Sequence, residues 1–263
     1  MAGFARFVAV LRLFDENASA WTVPDMADAL QTPSSTVYRT VRELVAAGFL
    51  ETANDGAYRL GPAFIAYDRL LRLTDPLVAA GRAALHDVVM QARTPCVALL
   101  SRLYDDQVMC MADEAAPDTP FRSSYERGRP MPLTQGATSK VVLAHLPARQ
   151  LNRLIGAPKD PGAARHVALR RELAEIRKRG YCSTASEIDA GLAGIAAPVI
   201  VREAGIVASL SLVADDSRLD DAQRRRLILL VVSAASLVTE DLRRRHVTPP
   251  ALMAQTPSRL VQR

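Results

Sequence analysis

The sequence predicts an α+β protein of two domains, and three observations predict it. The chain has 263 residues, 49% hydrophobic and 23% charged, enough for two compact cores. Its first 60 residues read as helix, short helix, helix and hairpin. Beyond Gly61 and Pro62, amphipathic stretches alternate with short β-rich runs, as in a mixed α/β domain.

Phe4, Phe7, Val8, Leu11 and Phe14 recur at helical spacing, so the first segment is an amphipathic helix. Residues 17–22 read as a polar turn. A short helix over 25–30 follows Pro24, which suits a first helical position. Pro33 cannot sit inside a helix, so the third helix starts there, capped by Thr32 or a neighbouring serine. It runs to Ala47, and Gly48 ends it. Residues 49–52 form a strand, Asn54-Asp55-Gly56 a hairpin turn, and 58–60 the return strand. This is the order of a winged helix-turn-helix, expected over residues 1–61.

A linker helix is expected over 62–75. Its Phe64, Ile65, Leu70, Leu71 and Leu73 offer more apolar surface than one side of a lone helix buries, which points to a homodimer; a tetramer is compatible. The second domain is expected over 76–246, opening with a helix to Gln91. Strands follow at 96–103, 107–112 and 121–125, then helices at 136–145, 148–155 and 163–179. Further strands are expected at 181–183, 195–201 and 206–213, and a closing helix over 220–245. The longest apolar run, 227–238, is too short to span a bilayer and reads as a buried helix. Residues 247–263, with Pro249, Pro250 and Pro257, read as a disordered tail.

Composition narrows the function classes. A net charge of +5 leans towards an acidic partner such as nucleic acid. Cys96, Cys110 and Cys182 are widely spaced and odd in number, which suits reduced thiols in a cytoplasm and indicates neither a disulfide framework nor a structural zinc. Arg6, Arg12, Asp15 and Glu16 interrupt the N-terminus, so it lacks a signal-peptide core. The chain has no G-x-S-x-G, H-E-x-x-H, Walker loop or G-x-G-x-x-G, and its four histidines lack catalytic spacing. No enzyme, metal or cofactor is expected. Ser139-Lys140 would suit a Ser/Lys hydrolase, but the pair falls on a helix beside an apolar face. The alternatives are a hydrolase and a ligand-sensing signalling module that works without DNA.

The stretch 33–44 is the most informative. Val37, Val41 and Leu44 make one apolar face, while Ser34, Ser35, Thr36, Tyr38, Arg39 and Arg42 lie largely elsewhere. Hydroxyls at a helix start can reach phosphates and base edges, and the arginines can neutralise phosphate or read guanine. Arg59 on the wing is a further candidate contact. Residues 1–60 nevertheless hold five arginines against seven acids. A single such domain binds DNA weakly, and a dimer or tetramer must add half-sites. Arg69 and Arg72 of the linker helix are candidate additional phosphate contacts.

The chain resembles the IclR family of bacterial regulators in three separated motifs. The first is Pro33-Ser-Ser-Thr-Val-Tyr-Arg39 with Gly48 and Tyr58-Arg-Leu-Gly61. The second is Leu133-Thr-Gln-Gly-Ala-Thr-Ser-Lys140 followed by Leu143-Ala144. The third is Gly180-Tyr181, then Gly191-Leu-Ala-Gly-Ile-Ala-Ala-Pro-Val199, then Gly205-Ile-Val-Ala-Ser-Leu-Ser211. The resemblance covers roughly positions 4 to 245. It implies a regulator of transcription that binds a double-stranded DNA operator, with a GAF-like effector-binding domain in the second part.

From the residues themselves, 132–139 place a helix start at Gly136. Its amides and helix dipole would suit an anion, and Gly136 and Ala137 leave room for one; the same small residues would equally allow close helix packing. The resemblance implies that the effector pocket also uses Thr184, Gly194 and Ser211, with Val213 nearby. Relatives with a small-acid effector often carry an acid, a cysteine and a second serine where this chain has Thr184, Gly194 and Val213. The less polar site implied here suits a larger, more apolar ligand, such as an aromatic carboxylate. Cys182 and Glu187 are weaker candidates. Tyr125, Arg122 and Arg129 are possible carboxylate partners, although the arginines equally suit a solvated face. Lys140 is expected to point away from the helix start.

Overall fold

The computed structural model describes residues 3–157 and 166–247, with side chains through 245. The chain divides into two compact units at Asp75/Pro76. The expected start of a helix at 163 and the expected disordered tail after Val247 lie outside the described residues.

The first unit contains α1 (Phe4–Leu11), β1 (Trp21–Thr22), α2 (Val23–Leu30), α3 (Ser34–Ala46), β2 (Leu50–Thr52), β3 (Ala57–Leu60) and α4 (Ala63–Thr74). Val10 of α1, Met26 and Ala27 of α2, and Val37, Val41 and Leu44 of α3 close its core with Leu50. Part of the expected polar turn at 17–22 is instead β1, where Trp21 pairs with Tyr58 in a three-stranded sheet. Trp and Thr are good strand residues, and the indole N–H secures the preceding bend by donating to the Ala18 carbonyl at 3.2 Å. Thr22 then caps α2 by accepting from Asp25 N–H at 3.3 Å, and Pro24 stands in the first turn as expected.

The start of α3 also differs. Pro33 is its N-cap and no side chain caps it, because Thr32 Oγ1 donates backwards to the Leu30 carbonyl at 3.0 Å. Its end follows the expectation. Gly48 has φ +75°, with Phe49 N–H donating to Leu44 at 2.9 Å and Gly48 N–H to Val45 at 3.0 Å. This paired closure needs a left-handed residue at Gly48.

The second unit contains α5 (Pro76–Ala92), β4 (Cys96–Tyr104), β5 (Gln107–Ala115), β6 (Pro130–Met131), α6 (Ala137–His145), α7 (Ala148–Ile155), α8 (Val167–Arg179), β7 (Cys182–Ala185), β8 (Leu192–Val201), β9 (Ile206–Asp215) and α9 (Asp221–Val247). Six antiparallel strands lie in the order β6-β5-β4-β9-β8-β7. The period-two alternation of strands assigns the faces. Ala98 and Leu100 of β4, Ile195, Ala197 and Val199 of β8, and Leu210 and Leu212 of β9 pack with α5 and α9. The residues between them, among them Gly194, Ala196, Ser209 and Ser211, are small and face α6. Their size allows α6 to lie close on the sheet, and Ala137–Ala144 are buried throughout.

Two further expectations are corrected. No strand forms at 121–125; those residues are a loop, and the edge strand is the shorter β6, where Met131 pairs with Val108. The run 227–238 is buried on one face only: Leu227, Val231, Ala234, Ala235 and Val238 are inside, while Leu229 and Leu237 are exposed. No helix among the described residues is long and apolar enough to cross a membrane.

Candidate functional site

The surface of α3 carries the candidate DNA-reading residues. Val37, Thr40, Val41 and Leu44 are buried, which turns Ser34, Ser35, Tyr38, Arg39 and Arg42 to solvent, with Thr36 half-buried. Arg39 and Arg42 have no hydrogen bond or ion pair among the described residues, so their guanidinium groups are available to a partner. The uncapped helix start leaves the first amides of α3 unfilled, a favourable arrangement for a phosphate. Arg59 is less available, because its Nε lies 2.6 Å from Glu51 Oε1 across the β2–β3 pair. Arg72 is likewise held by Asp68, 2.6 Å away.

In the second unit, a shallow cavity open to solvent lies at the start of α6. Gly136, Ala137, Thr184, Gly194 and Val213, all expected from the sequence, line it together. The sheet register explains their meeting: Gly194 pairs with Thr184 on one side and Val213 on the other. All three thus stand in one row across β7, β8 and β9. Gly136 turns the chain into α6 with φ +77°, and a Cβ there would fall 2.8 Å from Ile188 and 2.9 Å from the Tyr125 hydroxyl.

Ser211 does not reach the cavity. It is fully buried, one row further under α6, and accepts a hydrogen bond from Thr138 Oγ1 at 3.0 Å. Ser209 Oγ donates to the Thr138 carbonyl at 3.3 Å. The two serines therefore fix the first turn of α6 on the sheet. Cys182 lies in the same row beneath α6, packed with Ala137, Val141 and Ala196. Burial pushes its thiol up to about 11, so it is protonated near neutrality. Cys96 and Cys110 are buried too, at about 11 and about 12.

Lys140 overturns an expectation. It does not point away. Its side chain is 8% exposed, and Nζ lies 2.8 Å from both Glu172 Oε1 and Glu187 Oε1. Burial alone would lower its pKa, but hydrogen bonds and charge from the two glutamates outweigh this and raise it. Glu187 also reaches the helix start, accepting the Gly136 N–H at 2.9 Å. The first amide of the expected anion site is therefore already engaged.

Tyr125 lines the cavity and is 4% exposed. Its hydroxyl lies 3.1 Å from Ser139 Oγ, and burial raises its pKa. Arg122 and Arg129 are exposed and absent from the lining. The residues missed by sequence reasoning come mainly from the turn between β7 and β8 and the start of β8, with Ile188, Asp189 and Leu192 all lining the cavity. Asp189 ties that turn to the 121–125 loop, accepting Ser124 N–H at 3.0 Å and Ser124 Oγ–H at 2.5 Å.

A helix-turn-helix unit with exposed arginines, followed by a sheet domain with a cavity at a helix start, fits a class: the ligand-responsive regulators of transcription. The comparisons with known proteins specify the family. The family model for the bacterial transcriptional regulator IclR C-terminal domain matches residues 80–240, and that for the IclR helix-turn-helix domain matches residues 4–53. The chain belongs to the IclR family of bacterial transcriptional regulators. It is 25% identical over 226 residues to the HTH-type transcriptional regulator XynR of Escherichia coli strain K12, covering 83% of this chain and 88% of that one. It is 26% identical over 212 residues to the HTH-type regulator BhcR of Paracoccus denitrificans strain Pd 1222, covering 78% and 75%. Among solved structures, an IclR homologue from Microbacterium hydrocarbonoxydans complexed with 4-hydroxybenzoate superposes with a TM-score of 0.73 at 26% identity, covering 91% of this chain and 98% of that one.

Proposed function

We propose that this regulator works in the cytoplasm by placing α3 in the major groove of an operator, and that its effector is an organic acid with an aromatic body. The observation that carries the effector reading is the cavity at the start of α6. A carboxylate there would meet the amides and dipole of the helix terminus. Ala137, Gly194 and Val213 would pack against the ring, and Thr184 and the Tyr125 hydroxyl supply polar contacts at its edge. The homologue's complex with 4-hydroxybenzoate supports the same chemistry.

On this reading the chain is no enzyme: it binds its ligand without transforming it. The ligand alters DNA binding only through its different affinity for two packings of the second domain. The reading heads are paired by self-association. α4 has no buried residue, and Ile65, Leu70, Leu71 and Leu73 are 48–75% exposed; a second copy of the chain would cover them and present two copies of α3 to a palindromic site. A thermal-shift screen of aromatic and aliphatic acids tests the pocket. The best acid should stabilise the wild type and fail to stabilise a folded Ala137→Trp protein, whose indole would block the cavity. Equal stabilisation of both proteins would place the ligand elsewhere.

A further inference from the structure

Both oxygens of one internal carboxylate are held at the start of α6. Glu187 Oε2 takes the Gly136 N–H at 2.9 Å, and Glu187 Oε1 takes the Lys140 ammonium at 2.8 Å. The turn that carries Glu187 lies over the cavity, with Ile188 against Gly136 and Asp189 fastened to Ser124. The residues lining the cavity include two acids, Glu187 and Asp189, and no base. The nearby ammonium is already shared with Glu172. An anionic ligand entering beside Glu187 would therefore meet negative charge with no free cation to offset it.

Resting on the reading that this cavity receives an organic acid, we propose that Glu187 is a resident stand-in for the effector's carboxylate, and that binding is an exchange. The ligand's carboxylate takes the Gly136 amide and the Lys140 ammonium, and Glu187 leaves with its turn. One negative charge departs as one arrives, and both hydrogen bonds are remade. Two observations fit an occupant placed to leave. The Glu187 side chain is 33% exposed, so water is within reach of the departing carboxylate. Glu172, on α8, remains 2.8 Å from Lys140, so the buried ammonium is never stranded. The exchange makes carboxylates, rather than their amides or esters, the acceptable ligands. It also couples occupancy to the position of the segment joining β7 and β8.

Isothermal titration of the full chain with benzoate and 4-hydroxybenzoate tests the exchange in wild type, Glu187→Gln and Ala137→Trp. If the internal carboxylate holds the site about nine-tenths of the time, the apparent Kd is roughly tenfold above the intrinsic one. Glu187→Gln should therefore bind about tenfold more tightly. Binding lost in Ala137→Trp but unchanged or weakened in Glu187→Gln overturns the exchange and leaves the pocket standing. Binding that survives Ala137→Trp, or no binding by either wild type or Glu187→Gln, overturns the pocket and the exchange with it. Should either variant fail to fold, hydrogen exchange on wild type decides. The bound acid should speed exchange at the Ser186 and Leu192 amides, which donate to the Leu192 and Asp189 carbonyls across this turn; slower or unchanged exchange there means that Glu187 stays in place.

Discussion

Replacing Lys140 with methionine removes the one cation between two carboxylates while keeping nearly the same volume inside the second unit. Removing one partner of a buried ion pair costs about 3–5 kcal/mol when the other is left without solvent. Here the stranded groups keep some water, because the side chains of Glu172 and Glu187 are 39% and 33% exposed. Glu187 also keeps the Gly136 amide. That partial solvation brings the expected loss down to about 2 kcal/mol. For a domain of roughly 150–250 residues, each kcal/mol lowers Tm by about 2–4 °C, so the unit should melt about 4–8 °C lower. Scanning calorimetry at neutral pH measures this. Adding Glu187→Gln to Lys140→Met should recover part of the loss, since one uncompensated charge is then gone. The pH dependence has a definite sign. A lysine with a raised folded-state pKa contributes fully below its unfolded value, about 10.4, and loses that contribution as pH rises through the folded value. The gap between wild type and Lys140→Met should thus persist across neutral pH and close only in strong alkali. A Tm change under about 1 °C at pH 7 would refute the reasoning.

The remaining predictions concern the reading head, the turn into α6 and the assembly. Arg39→Ala should weaken operator binding by about 1–3 kcal/mol with an unchanged melting curve for the first unit; unaltered affinity in gel shift would remove Arg39 from the interface. Gly136→Ala should destabilise the second unit and weaken acid binding together, because φ is +77° and the new methyl would sit 2.8 Å from Ile188; a fully stable variant with normal binding would show that this turn is not under constraint. Sedimentation should find wild type at least dimeric at micromolar concentration and Ile65→Asp with Leu73→Asp dissociated. A monomeric wild type would rule out pairing through α4.

The legible parts of the chain are those whose signals are local. The Gly48 helix end and the apolar face of Val37, Val41 and Leu44 need only short-range sterics and spacing, and both stand where the sequence puts them. The cavity row was legible through family motifs: Gly136, Ala137, Thr184, Gly194 and Val213 meet. Ser211 stands outside that row for a physical reason. It shares a sheet face with Val213, but its hydroxyl is taken by Thr138 beneath α6. The turn holding Glu187, Ile188 and Asp189 was hardest to read. Its residues are tied to α6 and to Ser124 by contacts 51 and 65 residues away in sequence, and no periodicity reports such a tie. Lys140 followed suit: a lysine one turn into a helix reads as pointing away from its start until two distant carboxylates are seen to hold it. β1 was hidden because two residues are too few to show alternation.

Ligand-dependent operator binding is the central claim, and fluorescence anisotropy on the DNA upstream of the protein's own gene tests it most directly. The full chain, titrated at fixed salt with and without saturating 4-hydroxybenzoate, should bind a specific site, and the acid should shift the apparent Kd by about fivefold or more. The Ala137→Trp protein should bind the same DNA and ignore the acid. A folded, self-associated wild type that shows no preference for that DNA, or whose affinity is the same with an acid demonstrably bound in the cavity, would contradict the account.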